Sequence, residues 1–372
     1  MPNPVWFWQR IVSPHMIGLA EALAKRGHEV TYVAEQPMSE DRAKQGWRPP
    51  RADAITLRMA PDAAAAAGLV AEAPEASIHI CQGFRGNGVV GRARIALDAR
   101  GSRQWVVMET VEERGWAGSA VKRLEYARLV RSWRHRIEGV LAIGHATPEW
   151  LIARGMPAER IAPFAYFLPE PPASTCPELP MDSPYRVLFV GRLISLKRVH
   201  DLIDALARVA GHAFELAIVG AGPLEAELRL RAKSRLGDRV VWLGQRPMNE
   251  ISAIMAQADC LVLPSRNDGW GAVVSEALMS GTPAICSNRC GAAGVVRASG
   301  VGGVFNTGDV EGLAQLLEAM IVRGKPLEAE RTRLRRWALC LGADRGADYL
   351  STILDRTSGA VHRTAPPWCA PA

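Results

Sequence analysis

Residues 258–287 read ADCLVLPSRNDGWGAVVSEALMSGTPAICS, and this stretch decides the fold. "DCLVLP" is a short apolar run of strand length, and "PAICS" is another. Between them a polar, glycine-flanked loop leads into a segment that reads as helix from Gly271. A strand that crosses to the next strand through a helix makes a parallel pair. Parallel sheets are covered on both faces, which calls for apolar runs rather than alternation. Asp268 falls in the loop at the carboxyl end of the first strand, and Glu276 follows about one and a half turns into the helix.

The same alternation extends on both sides. Upstream lie "RVLFVG" (186–191), "FELAIVG" (214–220) and "RVVWLG" (239–244), with helices expected from Lys197, Pro223 and Asn249. The first half repeats the pattern: "VWFW" (5–8), a helix over 16–28 with Gly27 at its stop, "EVTYVAE" (29–35), "SIHICQ" (77–82), "QWVVMET" (104–110) and "VLAIGH" (140–145). Residues 60–76 yield no clear element. Between the halves, "LPEPPASTCPELPMDSPY" (168–185) carries prolines at 169, 171, 172, 177, 180 and 184 and predicts a stiff linker. The expected organisation is a Rossmann-like domain over 1–168, a linker over 169–185 and a second Rossmann-like domain over 186–340. A C-terminal helix over 341–358, packing back toward the first domain, and a tail over 359–372 complete it. Two domains also suit 372 residues, since single cores stop growing near roughly 250–300. The fold class is α/β, two facing parallel-sheet domains with a cleft between them, where ligands meet the carboxyl ends of the strands.

Composition narrows the function classes. No apolar run reaches the roughly 18 residues of a spanning helix, and the N-terminus lacks a signal-peptide pattern. Both point to a cytoplasmic protein. Seven scattered cysteines (81, 176, 260, 286, 290, 340, 369) predict reduced thiols rather than a disulfide framework or metal knuckle. The net charge of +7 is concentrated in part in 118–136, "GSAVKRLEYARLVRSWRHR", where Lys122, Arg123, Arg128, Arg131, Arg134 and Arg136 face a single acid, Glu125. The solvated-face reading stands beside a peripheral contact with an anionic membrane at its inner face. No nucleic-acid motif accompanies the charge, so nucleic acid is not expected as a partner.

Several junctions suit anions. In "FVGRLISLKRVH", Gly191, Arg192 and Lys197 follow a strand and precede a helix, giving backbone access and two charges fit for a diphosphate. The Walker spacing is absent. "IVGAGPLEAEL" (218–228) has a Gly-x-Gly turn, but Glu225 stands where a dinucleotide fingerprint has its third glycine. In the opening stretch, Gly269 and Gly271 expose the amides of Gly271, Ala272 and Val273 to a phosphate, and the carboxylates beside them suit sugar hydroxyls.

From Gly191 to Pro283 the chain resembles the retaining glycosyltransferases of family four, which have the GT-B fold. The resemblance rests on "GRLISLK", "IVGAGPLEAEL", "WLGQRP" and "ADCLVLPSRNDGWGAVVSEALMSGTP", in family order. It implies a nucleotide-diphosphate sugar donor and a glycan, lipid-linked or small-molecule acceptor. Arg192 and Lys197 would neutralise the diphosphate, and Glu276 would bind the ribose. Asp268 would hold hydroxyls of the sugar, Gly244 and Arg246 would flank the base, and the amides at 271–273 would complete the phosphate site. No metal or other cofactor is implied. Retention in the family proceeds by front-face attack, with the leaving phosphate taking the proton, so few acid–base side chains are required. His15, His79 and Glu109 are the first-domain candidates for acid–base work, with Glu109 the preferred acceptor contact; Asp268, Glu109 and His79 are the expected catalytic residues and His15 a substrate contact. The chain departs from the pattern in four places. Asp268 replaces the first Glu of Glu-x7-Glu, and Gly294 in "CGAAG" replaces an acid. "QRIVSPHM" replaces a glycine-rich loop, and Cys81 takes the place of a second His after His79. The competing readings are a tandem-Rossmann NAD(P)-dependent oxidoreductase and a nucleotide-sugar epimerase.

Overall fold

The structure, a computed structural model, describes residues 2–38, 52–86, 88–112, 116–170, 183–355 and 364–369, with backbone alone at 116–119. Most of the proline-rich stretch and part of the expected tail lie outside the described residues. The chain divides into two compact units, Met1–Pro169 with Leu341–Pro371, and Glu170–Cys340.

The first unit is built on a seven-stranded parallel sheet: β1 (Val5–Ile11), β2 (Val30–Gln36), β3 (Thr56–Met59), β4 (Ile78–Gln82), β5 (Arg103–Glu109), β6 (Gly139–Ile143) and β7 (Ile161–Phe164). Their order is β3-β2-β1-β4-β5-β6-β7. Every residue of β6 is buried, as a parallel strand covered on both faces must be. Residues 60–76, which the sequence left unassigned, hold helix α2 (Ala63–Glu72), started by the Asp62 carboxylate accepting from the Ala65 amide at 2.8 Å. Two strands of this sheet escaped the sequence reading, and each sits at a sheet edge. All of β3 is exposed, so it shows no apolar run. Strand β7 contains Pro163, tolerated because an edge strand has a side that needs no donor.

Helix α1 (Pro14–Ala24) starts two residues earlier than its apolar pattern suggests, with Pro14 at the first turn, where its missing N–H is harmless. It packs against the last helix, α13 (Ala343–Leu354). Arg26 pairs with Asp348 at 2.5 Å and with Asp344 at 3.0 Å. Backbone bonds join Leu168 N to Leu341 O at 3.1 Å and Ala343 N to Leu168 O at 2.8 Å. The C-terminal segment is thereby part of the first unit.

The second unit has six parallel strands: β8 (Tyr185–Val190), β9 (Phe214–Val219), β10 (Val240–Gly244), β11 (Cys260–Leu263), β12 (Ala284–Ser287) and β13 (Gly303–Phe305). Their order, β10-β9-β8-β11-β12-β13, is that of a doubly wound Rossmann sheet. Winding reverses between β8 and β11, the position at the sheet's carboxyl end where ligands of such sheets bind. The sequence expected a helix from Lys197. Instead Ser195–Lys197 form a 3-10 turn, and Arg198 adopts a left-handed backbone (φ 50°) before α6 (Val199–Arg208) begins. The Arg198 guanidinium is held by Asp201 at 2.5 Å, which anchors that uncommon conformation.

Candidate functional site

The loop after β8 is set by glycines that meet backbone. Gly220 sits at φ 136°, and a Cβ there would lie 1.9 Å from Gly191 O. A Cβ on Gly222 would lie 2.4 Å from Leu193 O. Leu193 N donates to Ala221 O and Gly191 N to Val219 O, both at 3.0 Å. The Gly-x-Gly turn is therefore filled by the chain's own 191–193 backbone, which explains those glycines without a dinucleotide. The neighbouring loop presents Arg192, exposed and without an ion pair among the described residues, and Lys197, whose side chain passes under Gly191.

The loop after β11 meets it. Arg266 N donates to Leu196 O at 2.8 Å, and the Lys197 ammonium pairs with the Asp268 carboxylate. Their side chains are 20% and 17% exposed. The buried Ser265 hydroxyl donates to the same carboxylate at 3.3 Å. A third segment straps this loop from behind. Asp268 N donates to Arg289 O (3.1 Å), Gly291 N to Asp268 O (2.9 Å) and Ala292 N to Trp270 O (2.7 Å). The Cys290 thiol donates to Trp270 O at 3.0 Å, and a Cβ on Gly291 would strike Gly269 O at 1.9 Å. The segment "CGAAG", noted in the sequence only for its missing acid, is thus a scaffold for the loop. Its small residues were the available sign, since only they allow such close backbone approach.

Gly271 ends the loop at φ 85° as the N-cap of helix α9 (Ala272–Met279). A Cβ there would meet Cys290 Sγ at 2.6 Å and Leu263 Cδ2 at 2.9 Å, so space and backbone both require glycine. The amides of Ala272 and Val273 have no acceptor within the helix, as at any helix start, and carry its positive dipole end. Glu276 is part-buried, and its side chain makes no hydrogen bond or ion pair among the described residues. Burial alone pushes its carboxyl from 4.5 up to about 7. An uncompensated carboxylate beside a strand-end loop is a group still looking for donors.

The other sequence candidates stand on other elements. Gly244 (φ 65°) closes edge strand β10, its carbonyl accepting from Gly220 N at 2.8 Å. Arg246 donates to Leu243 O at 3.0 Å and lies 3.6 Å from Glu250. In the first unit, Glu109 ends β5, and the His15 ring lies tilted against Tyr166 with ring centroids 5.2 Å apart. His79 departs from the role expected of it. It is 1% exposed, beside Trp6 and Trp8, and its Nδ1 accepts the Trp8 indole N–H at 3.1 Å. Burial, with a contribution from Arg100, lowers its pKa to about 4. A neutral ring serving as a core acceptor has little use as a proton carrier at the surface. The sequence shows no partner for His79 because Trp8 is on another strand.

Residues 177–336 match the family described as Glycosyl transferases group 1. The chain is 31% identical over 174 residues to 2-deoxystreptamine glucosyltransferase of Streptomyces kanamyceticus, covering 43% of this chain and 42% of that protein. It is 30% identical over 189 residues to the amylovoran biosynthesis glycosyltransferase AmsK of Erwinia amylovora, covering 48% and 46%. The match thus spans less than half the length of either relative. Among solved structures, Anabaena HepE in complex with UDP superposes with a TM-score of 0.73 at 18% identity, over 94% of this chain and 99% of that one. The shared fold is GT-B.

Proposed function

We propose that this chain, which carries a group 1 glycosyltransferase domain over residues 177–336, transfers a sugar from a nucleoside-diphosphate donor to a hydroxyl acceptor with retention of configuration. One observation carries the reading. At the winding reversal of the second sheet, Lys197 and the exposed Arg192 lie on the loop after β8, which touches the loop leading into α9, the helix that carries the free amides and the uncommitted Glu276 carboxylate. A carboxylate suits a vicinal diol such as ribose, while amides at a helix start and cations suit phosphate. Asp268 is the sugar-side carboxylate, and Gly244 with Arg246 flank the base. Lys197, Arg192 and the α9 dipole stabilise the departing diphosphate, so the transfer needs no metal, and EDTA should leave its rate unchanged. That HepE was solved with UDP supports this class of donor. Calorimetric titration with UDP, GDP, ADP and their sugars tests the proposal. A chain that binds none of them, or binds them equally well as Glu276→Ala, overturns it.

The acceptor is a glycan or lipid-linked glycan, in polysaccharide or glycoconjugate assembly at the inner face of a membrane; one relative is named an amylovoran biosynthesis glycosyltransferase, which supports a biosynthetic role. Among the described residues no helix is long and apolar enough to cross a membrane. Helix α4 (Trp116–Trp133) instead presents Val121 and Leu124, 68% and 52% exposed, beside exposed Arg123, Arg128 and Arg131. Other basic groups on or near it are already engaged: Arg85 holds Glu125, Arg136 holds Asp98, and Lys122 bonds Glu112 O. These three arginines, without ion pairs among the described residues, surround an apolar pair and suit anionic headgroups. Replacing the three with Gln should release the protein from vesicles containing phosphatidylglycerol; unchanged partitioning would remove this part of the proposal.

A further inference from the structure

We infer that Asp268 acts on the donor through Lys197: it is a positioning residue that holds the ammonium in place and competes for it with the donor's diphosphate. The inference rests on the reading above, that a diphosphate is bound at Lys197.

The two side chains differ in how far they can move. Asp268 is tied at both backbone groups, to Arg289 O and Gly291 N, and forms an isolated parallel bridge with Cys290. Its carboxylate stands on a single methylene and is also bonded by the Ser265 hydroxyl, itself on a buried residue. The ammonium of Lys197 stands on a flexible four-carbon stem. Its backbone is fixed by a 2.9 Å bond from Lys197 N to Ile194 O. The carboxylate is therefore the fixed partner and the ammonium the movable one. A diphosphate reaching Lys197 meets a cation already neutralised and must draw it away from Asp268. When the ammonium turns to phosphate, the carboxylate keeps Ser265 and regains capacity to accept a hydroxyl of the transferred sugar. Glutamate, with one more methylene, would place its charge differently against an ammonium held by this 3-10 turn. The aspartate thus sets where Lys197 waits as well as what the sugar meets.

The test uses the full chain and titrates UDP, GDP and ADP, which carry the diphosphate but no sugar. Asp268→Asn, close in shape, removes the competing charge and should tighten the best-bound nucleoside diphosphate about three- to tenfold, with the gain shrinking at high salt. In a Lys197→Gln background the same substitution should change nothing, because the effect passes through the ammonium. Asp268→Ser gives a second route to the same gain should the Asn variant fold poorly, and the melting temperature of each reports folding. If Asp268→Asn leaves nucleoside-diphosphate affinity unchanged or weaker while wild type binds, this inference is overturned and the donor reading stands. If wild type binds none of the three, the donor reading falls and this inference with it.

Discussion

His79 in the first unit and Glu276 in the second have both been moved by burial, one proton affinity down to about 4 and the other up to about 7. The cause is the same, since burial disfavours whichever form is charged. Their surroundings are not. The His79 ring already accepts the Trp8 N–H, and its neutral form is what the core uses. Glu276 has no such partner among the described residues, so burial leaves it unsatisfied. A shifted proton affinity is common to structural and functional groups, and what separates these two is whether the polar atom has been spent.

The largest expected effect tests the unspent side. Glu276→Gln keeps the shape and removes the charge, and should weaken donor binding about 100-fold if the carboxylate bonds a diol. A donor affinity within a factor of about two of wild type would place the diol elsewhere.

The pH dependence of folding then separates the pair. Glu276 holds its proton more tightly folded than unfolded, so its contribution to stability is full below about pH 4.5 and is lost as pH rises through about 7. His79 is the reverse, with a contribution full above about pH 6.5 and lost as pH falls through about 4. Denaturant melts across this range should show Glu276→Gln gaining on wild type with rising pH, by about 2–3 kcal/mol at most. The corresponding His79 variant should lose its disadvantage toward acid pH. Parallel curves for all three proteins would contradict both assignments.

A smaller effect is expected at the spent group. His79→Leu strands the Trp8 N–H in the core and should lower stability by about 1–3 kcal/mol, with transfer at saturating donor unchanged. His79→Gln, which retains an acceptor, should recover part of the loss. Normal melting with abolished turnover would instead return His79 to the chemistry. Smallest is Arg192→Gln. This exposed cation should raise the donor KM only about two- to fivefold, an effect that fades with added salt. A salt-independent loss would mean a buried contact.

The reading of the sequence reached far along the second unit. Runs such as "RVLFVG" and "DCLVLP" became parallel strands, and Gly271 became the cap of α9 because its left-handed backbone was required there. Strand β3 was missed because it is exposed and shows no apolar run, β7 because Pro163 interrupts it, and β13 because it is only three residues long. Within the site, the residue types and their order along the chain were legible, but their partners were not. The glycines of 220 and 222 spoke of close approach without saying that the approaching atoms belong to residues 191 and 193.

By itself the sequence determined the alternation of strand and helix, the parallel sheets and the placing of Asp268 in a strand-end loop with Glu276 in the helix that follows. Those follow from periodicity and backbone preference, which act between near neighbours. Only the tertiary structure decided which polar groups are already satisfied: His79 by Trp8, Lys197 by Asp268, and Glu276 by nothing among the described residues. Each of those pairs joins residues 71 positions apart, and hydrogen-bond satisfaction at that range depends on how the sheets bring distant segments together.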